Sequence, residues 1–213
     1  MFSILDPEVT YSLPKKQVAN GLADSFIHVC ERYLGHYGIS EIQDEQCEAV
    51  MRGIIACAPR ALECEHPDYN ARAEFFWCAT MGANGYFKNG VPQCWATHNI
   101  GLNVTAFYGI DHAVAVATVL ISLLRHVKDL RAKKLERFAE RVFGVHGAVD
   151  MAEEAIKQCE KFFHSLGIAT TLSENGCDDS HLQEIADKFK GRKIGAEKAI
   201  GDEDVLTILK NAL

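Results

Sequence analysis

The chain has 213 residues, 48% of them hydrophobic, enough to bury a substantial core without disulfide staples. Its net charge of −7, with acidic and basic residues mixed and no basic stripe, points away from a nucleic-acid partner. The longest uncharged apolar stretch, Ala113 to Leu124, falls well short of the ~20 residues needed to cross a bilayer. The eight cysteines, at 30, 47, 57, 64, 78, 94, 159 and 177, form no C-x-x-C pair and follow no secretory leader. They are expected to be small core residues in a reducing cytoplasm.

Phe2-Ser-Ile-Leu5, closed by Asp6-Pro7, reads as a short strand with nothing to pair with, because almost everything after it is helical in pattern. From Pro14, Val18, Leu22, Phe26, Val29 and Tyr33 recur at helical spacing until Gly35, which can stop the helix. Two helices are expected to follow, over 40–62 and 68–83, ahead of the turn residues Asn84-Gly85 and Asn89-Gly90. Val91-Pro92 opens a segment carrying Trp95 and His98 that reads as a helix running towards Phe107. Asp111 is placed as the N-cap of an all-apolar, buried helix. Charged amphipathic helices over 130–143, 148–166 and 180–189, with a short one over 202–211, form a surrounding shell. The stretch 167–179, rich in Gly, Thr, Ser, Asn and Asp, is a loop. With no repeat, low-complexity tract or long linker, one all-α domain over 1–213 is the economical reading.

Asp24 and His28 lie four apart on the first helix, so a carboxylate and an imidazole project from one face. Asn20, Glu31 and Arg32 share that side, and a bare D-x-x-x-H is ordinarily a solvated face. His112 begins a helix that is apolar all round and is expected to be buried, where an unpartnered polar side chain costs ~1–3 kcal/mol. His98 approaches it if the connection at Gly109 turns the chain back. One carboxylate and three imidazoles then form a mixed oxygen and nitrogen set suited to Fe(II), Zn(II), Co(II) or Ni(II), with too few oxygens for calcium. The remaining histidines, His36, His66, His126, His146, His164 and His181, receive no role and are expected mostly at the surface or at helix caps.

Several segments together resemble the C-terminal domain of the iron-containing alcohol dehydrogenases, in particular the butanol dehydrogenase and aldehyde reductase branch. They are Phe2-Ser-Ile-Leu-Asp-Pro-Glu8, Leu13-Pro14 through Gln17-Val-Ala-Asn-Gly-Leu-Ala-Asp24-Ser-Phe-Ile-His28, Trp95-Ala-Thr-His98, Gly109-Ile-Asp-His112, Leu166 through Glu174, and Asp204-Val-Leu-Thr-Ile-Leu209. That resemblance implies a dehydroquinate synthase-like fold. In it a metal is held by an aspartate, a histidine four residues later, and two further histidines fourteen residues apart. Asp24, His28, His98 and His112 match these positions. It also implies a nucleotide-binding domain ahead of this one, so the opening run Met1 to Leu5 is expected to correspond to that domain's last strand. No residue here is assigned to cofactor binding, and none is assigned a catalytic role. The family has a further histidine one helical turn after the third ligand, where this sequence has Leu102. The difference bears on proton handling or substrate contact.

The resemblance implies reversible oxidation of a small alcohol to an aldehyde or ketone by NAD(H) or NADP(H), on a divalent cation, Fe(II) first and Zn(II) second. Catalysis is expected only together with the nucleotide-binding half. Self-association is left open. A non-catalytic or regulatory metal-binding helical module is the alternative. A helical metal-dependent phosphohydrolase is a third reading, opposed by the absence of an adjacent His-Asp pair.

Overall fold

The computed structural model describes residues 2–213. Among them nine helices succeed one another in chain order: α1 Lys15–Tyr33, α2 Glu41–Ala61, α3 Tyr69–Ala83, α4 Ala96–Tyr108, α5 His112–His126, α6 Ala132–Phe143, α7 Met151–Ser165, α8 Leu182–Asp187 and α9 Asp202–Asn211. Short 3-10 turns occupy Pro7–Thr10, Tyr86–Lys88 and Ser173–Asn175. Among the described residues the single extended pairing is an isolated antiparallel bridge between Ile194 and Ile200. The fold is all-α.

Each expected helix is present, and the differences lie at the ends. The strand-like run at Phe2–Leu5 carries no ladder and is exposed. A strand requires a partner for its N–H and C=O groups, and the described residues offer none; Met1, the first residue of that run, lies outside them. Pro14 stands one position before the first turn of α1, its carbonyl accepting from the N–H groups of Gln17 and Val18 at 2.8 and 3.1 Å. The fourth helix begins at Ala96, later than Val91. Asp111 occupies the N-cap position of α5, yet its carboxylate makes no capping bond. It accepts from Asn20 Nδ2 at 3.0 Å and pairs with Lys16 Nζ at 2.8 Å, tying the start of α5 to α1.

Two helices form the centre. α1 packs against α2, α3 and α5, while α5 packs against α1, α4, α7 and α9. The stripe Val18, Leu22, Phe26, Val29 and Tyr33 is fully buried, and α5 is buried continuously from Ala115 to Leu124. Phe26 fastens α1 to the outer pair α6 and α7, with Phe162, Phe163, Phe138 and Phe143 around it at ring separations of 4.9–6.4 Å. Such pairs add ~0.5–1.5 kcal/mol each beyond the area they bury. Seven of the eight cysteines are buried and Cys64 is half-buried, all as free thiols.

Two glycines permit close approaches that draw α1, α4 and α5 together. At the end of α1, a Cβ on Gly35 would sit 2.8 Å from the Pro92 carbonyl oxygen and 2.9 Å from the Cys94 nitrogen. The segment before α4 therefore crosses the chain just beyond α1, and the Cys94 N–H donates to the Glu31 carbonyl in the last turn of α1 at 3.0 Å. This crossing is why α4 starts at Ala96. On α4, a Cβ on Gly101 would lie 2.6 Å from Val116 Cγ1 and 3.2 Å from Val116 Cα, so α4 and α5 touch almost backbone to backbone. Gly101→Ala gains ~1 kcal/mol of helix propensity but incurs ~1–3 kcal/mol of overpacking, and because Val116 Cα belongs to a buried helix the clash dominates. A net loss of about 1 kcal/mol is expected, read as a melting temperature lower by about 2–4 °C; an unchanged or higher value would show that the two helices separate without strain.

Candidate metal centre

Asp24 and His28 project from α1, His98 from the first turn of α4 and His112 from the first position of α5. The tight contact at Gly101 brings the last two elements together, and the crossing at Gly35 seats α4 against α1. The result is a carboxylate facing three imidazoles. Asp24 Oδ2 lies 3.4 Å from His28 Nε2, and Asp24 Oδ1 lies 3.6 Å from both His98 Nε2 and His112 Nε2. The rings stand close, His28 to His98 at 4.2 Å and His98 to His112 at 5.5 Å between centroids. One ligand atom from each of Asp24, His28 and His98 lies within 4.8 Å of the other two; His112 stands at the edge of this group. Trp95 closes one side, its ring edge-on to His28 at 5.8 Å and to His98 at 5.4 Å.

The centre is open on one side. His98 is buried, whereas 36% of the His112 side chain is exposed, against the expectation of burial. Burial along α5 is continuous only from Ala115 to Leu124; its first residue sits at the rim. Beside it a cavity of about 300 Å³ is lined by Gln17, Asn20, Gly21, Asp24, Asp111 and His112. Leu102, one turn beyond His98 on α4, is 55% exposed and so is not part of the core.

Four atoms of the cluster are buried without hydrogen bonds, and two of them, one from Asp24 and one from His98, face each other. Asp24 Oδ1 and His98 Nε2 are both shielded from solvent and both unpartnered, since 3.6 Å is beyond bonding range. A buried acceptor in that state costs free energy, and a cation between these atoms would satisfy them. The donor set of one oxygen and three nitrogens suits a divalent transition metal, so the residues fit such an ion. Burial alone would raise the Asp24 carboxyl, but the imidazoles of His28 and His98 prevail and hold it well below the usual carboxylate range. Burial alone would lower the His98 imidazole, but the carboxylates of Asp24 and Glu31 push it up to about 9. The His112 imidazole lies below its ordinary value, lowered by burial and by His98 and His28 against the opposing pull of Asp24.

Sequence reasoning missed Glu31. Its side chain shares a face with Asp24 and His28, as helical spacing requires, but Trp95 and the first turn of α4 lie over that end of the face, and Glu31 and Arg32 are buried. The Glu31 carboxylate accepts from the Thr97 N–H at 2.7 Å and the His98 N–H at 3.4 Å, and meets His98 Nδ1. The Arg32 guanidinium stacks over Trp95 at 5.4 Å. The available signal was the run of polar residues Asn20, Asp24, His28, Glu31 and Arg32 along one face, too continuous for a helix whose other faces are already covered. His36, expected near the surface, is also buried, its Nε2 3.0 Å from Asp44 Oδ1.

A helical domain that turns one carboxylate and three imidazoles towards a single point, open to a cavity on one side, defines a candidate metal-binding domain. Residues 18–213 match the Fe-containing alcohol dehydrogenase family, C-terminal, and the chain belongs to that family. It is 39% identical over 210 residues to the NADP-dependent alcohol dehydrogenase 3 of Entamoeba histolytica, covering 99% of this chain and 54% of that protein. The NADPH-dependent aldehyde reductase YqhD of Escherichia coli is 39% identical over 192 residues, 89% of this chain and 49% of that one. The substrate- and cofactor-free structure of the same reductase superposes with a TM-score of 0.93 at 35% identity, over 97% of this chain and 56% of that chain. A Thermotoga maritima NADH-dependent butanol dehydrogenase A superposes with a TM-score of 0.89 at 30% identity, over 97% and 55%. This chain thus spans about half the length of the relatives it matches.

Proposed function

We propose that this chain, as one helical domain over 1–213, is the metal-binding half of an NAD(P)-dependent alcohol dehydrogenase or aldehyde reductase, holding one divalent cation on Asp24, His28, His98 and His112. The observation that carries the reading is the pair of buried, unpartnered atoms, Asp24 Oδ1 and His98 Nε2, facing each other across a gap that no hydrogen bond spans. Fe(II) and Zn(II) both suit the set, with Fe(II) favoured by the family. Relatives named as NADP- or NADH-dependent dehydrogenases and reductases support the nicotinamide partner and the alcohol or aldehyde substrate.

When bound, the cation supplies Lewis-acid polarisation of the substrate oxygen. The chain's own residues do the rest. Asp24 offsets part of the positive charge, and three neutral imidazoles leave the remainder available to the substrate. His112, partly exposed beside the cavity, leaves the approach open, while Trp95 and the buried His98 exclude water from the opposite side. The Lys16–Asp111–Asn20 linkage holds the first turn of α5, and with it His112, against α1. No helix among the described residues is long and apolar enough to cross a membrane, and eight free thiols support a reducing compartment such as the cytoplasm.

Leu102 favours a second reading, a metal-binding module that does not turn over alcohol, because an exposed leucine can neither relay a proton nor hydrogen-bond a substrate. Purification without oxygen followed by elemental analysis tests the shared part of both readings. A single equivalent of metal per chain is expected, or uptake of one equivalent on reconstitution with Fe(II) or Zn(II). A chain that stays metal-free under both treatments overturns them.

A further inference from the structure

Glu31 lies outside the ligand set and is nevertheless the residue most completely committed to it. It is 2% exposed, and a carboxylate that far from water is costly unless its oxygens are satisfied. All of its partners belong to one turn of α4. One oxygen accepts from the backbone N–H of Thr97, the other from the backbone N–H of His98 and from His98 Nδ1. Trp95, the N-cap residue of α4, makes no side-chain capping bond, so these two N–H groups have no local acceptor. A carboxylate on α1 does that work instead, with the added attraction of a negative charge for a helix N-terminus.

The same bond decides which nitrogen of His98 can face the centre. With Nδ1–H held by a buried carboxylate, Nε2 is the nitrogen that can give its lone pair to a metal once its own proton is displaced, and Nε2 is the atom that lies 3.6 Å from Asp24 Oδ1. Because the carboxylate also binds the backbone of the same residue, the ring is fixed at both ends: its Cα by the capping bond, its Nδ1 by the side-chain bond. His28 and His112 have no such support, their Nδ1 atoms being buried and unpartnered. Resting on the proposed metal reading, we infer that Glu31 is the positioning residue of the centre: it sets the tautomer and orientation of His98 as a ligand, and couples metal affinity to the docking of α4 on α1.

Partners of this kind typically contribute about 10–100-fold to metal affinity. The test uses Co(II) as probe on the chain and on its E31Q and E31A variants, with affinity followed by the visible absorption of the bound ion and by paramagnetically shifted proton spectra in water. The wild-type spectrum is expected to show the ring N–H of His98 as a signal protected from solvent exchange. E31Q, which keeps one acceptor oxygen but loses the charge, is expected to bind about ten-fold more weakly, and E31A towards 100-fold, with the protected signal lost. A purely structural role predicts something different: a lower melting temperature in the metal-free variants, but a Co(II) dissociation constant within two-fold of wild type. That outcome overturns the inference. So does a His98 ring N–H in the wild type that exchanges too fast with water to be observed, a result independent of whether either variant folds. A wild-type chain that takes up no Co(II) instead overturns the metal reading itself.

Discussion

Replacing Asp24 by alanine is expected to abolish tight metal binding while leaving the fold intact. Asp24 is the one anionic member of the proposed set, and its two oxygens are the atoms against which all three imidazole nitrogens are arranged, at 3.4–3.6 Å. Removing an indirect partner of a metal ligand costs about 10–100-fold in affinity; removing the charged ligand itself should exceed the upper end of that range. Asp24 is about one-third exposed, so water can enter the space and the metal-free variant should melt close to the parent. Isothermal titration with Zn(II), set beside thermal unfolding, checks both halves. Retention of wild-type affinity by Asp24→Ala would remove the carboxylate from the site and leave an all-imidazole cluster to explain.

The largest expected effect on stability lies elsewhere, in the buried polar junction of α2 with α6. Asp44 is held between His36 Nε2 at 3.0 Å and Lys134 Nζ at 2.6 Å, with all three side chains 2% exposed. The Lys134 ammonium also stands over the Tyr33 ring at 3.7 Å. An ion pair this deep is weak evidence for net stabilisation, but removing one member strands the other charge without solvent, at ~3–5 kcal/mol. Asp44→Ala should therefore be destabilised by about that amount, read from denaturant unfolding. A loss below ~1 kcal/mol would mean that Lys134 escapes to water or deprotonates cheaply. The same junction makes stability depend on pH in one direction on the acid side. Burial alone would raise the Asp44 carboxyl, but His36 and Lys134 prevail and keep it below its ordinary value. A carboxylate depressed in the folded state contributes fully above its unfolded value of about 4 and is lost as pH falls through the native one. The wild type should lose stability below about pH 4 more steeply than Asp44→Ala.

The helices were legible because their signals are local. The stripe from Val18 to Tyr33 marks a buried face by spacing alone, and every residue in it is inaccessible to solvent. Asp202–Asn211 falls where its pattern places it. What spacing cannot reveal is what covers a face. Asp24, His28, Glu31 and Arg32 share one side of α1 by helical geometry, yet whether that side meets water or α4 depends on residues far along the chain. The same limit explains the late start of α4, since Val91–Cys94 is held off the helix by a backbone bond to Glu31 that no local propensity encodes. It also explains Asp111, a good N-cap by residue type whose carboxylate is drawn to Lys16 and Asn20. The four candidate ligands were proposed from helical spacing and matched by resemblance; the reason His98 stands as it does was not visible until α1 and the start of α4 were seen together.

The crossing of the Pro92–Cys94 segment over Gly35 makes the proposed centre a product of long-range contacts. Its members are spread from residue 24 to residue 112, and α4 cannot reach α1 until that extended segment has passed over the end of the first helix. Loop closure over such separations is slow compared with forming any single helix. In small zinc modules a metal captured by neighbouring residues can nucleate the fold; here the pocket for an ion comes into being only once the two central helices and the crossing segment are in register. On the proposed reading, a bound ion would therefore report a completed domain rather than seed one.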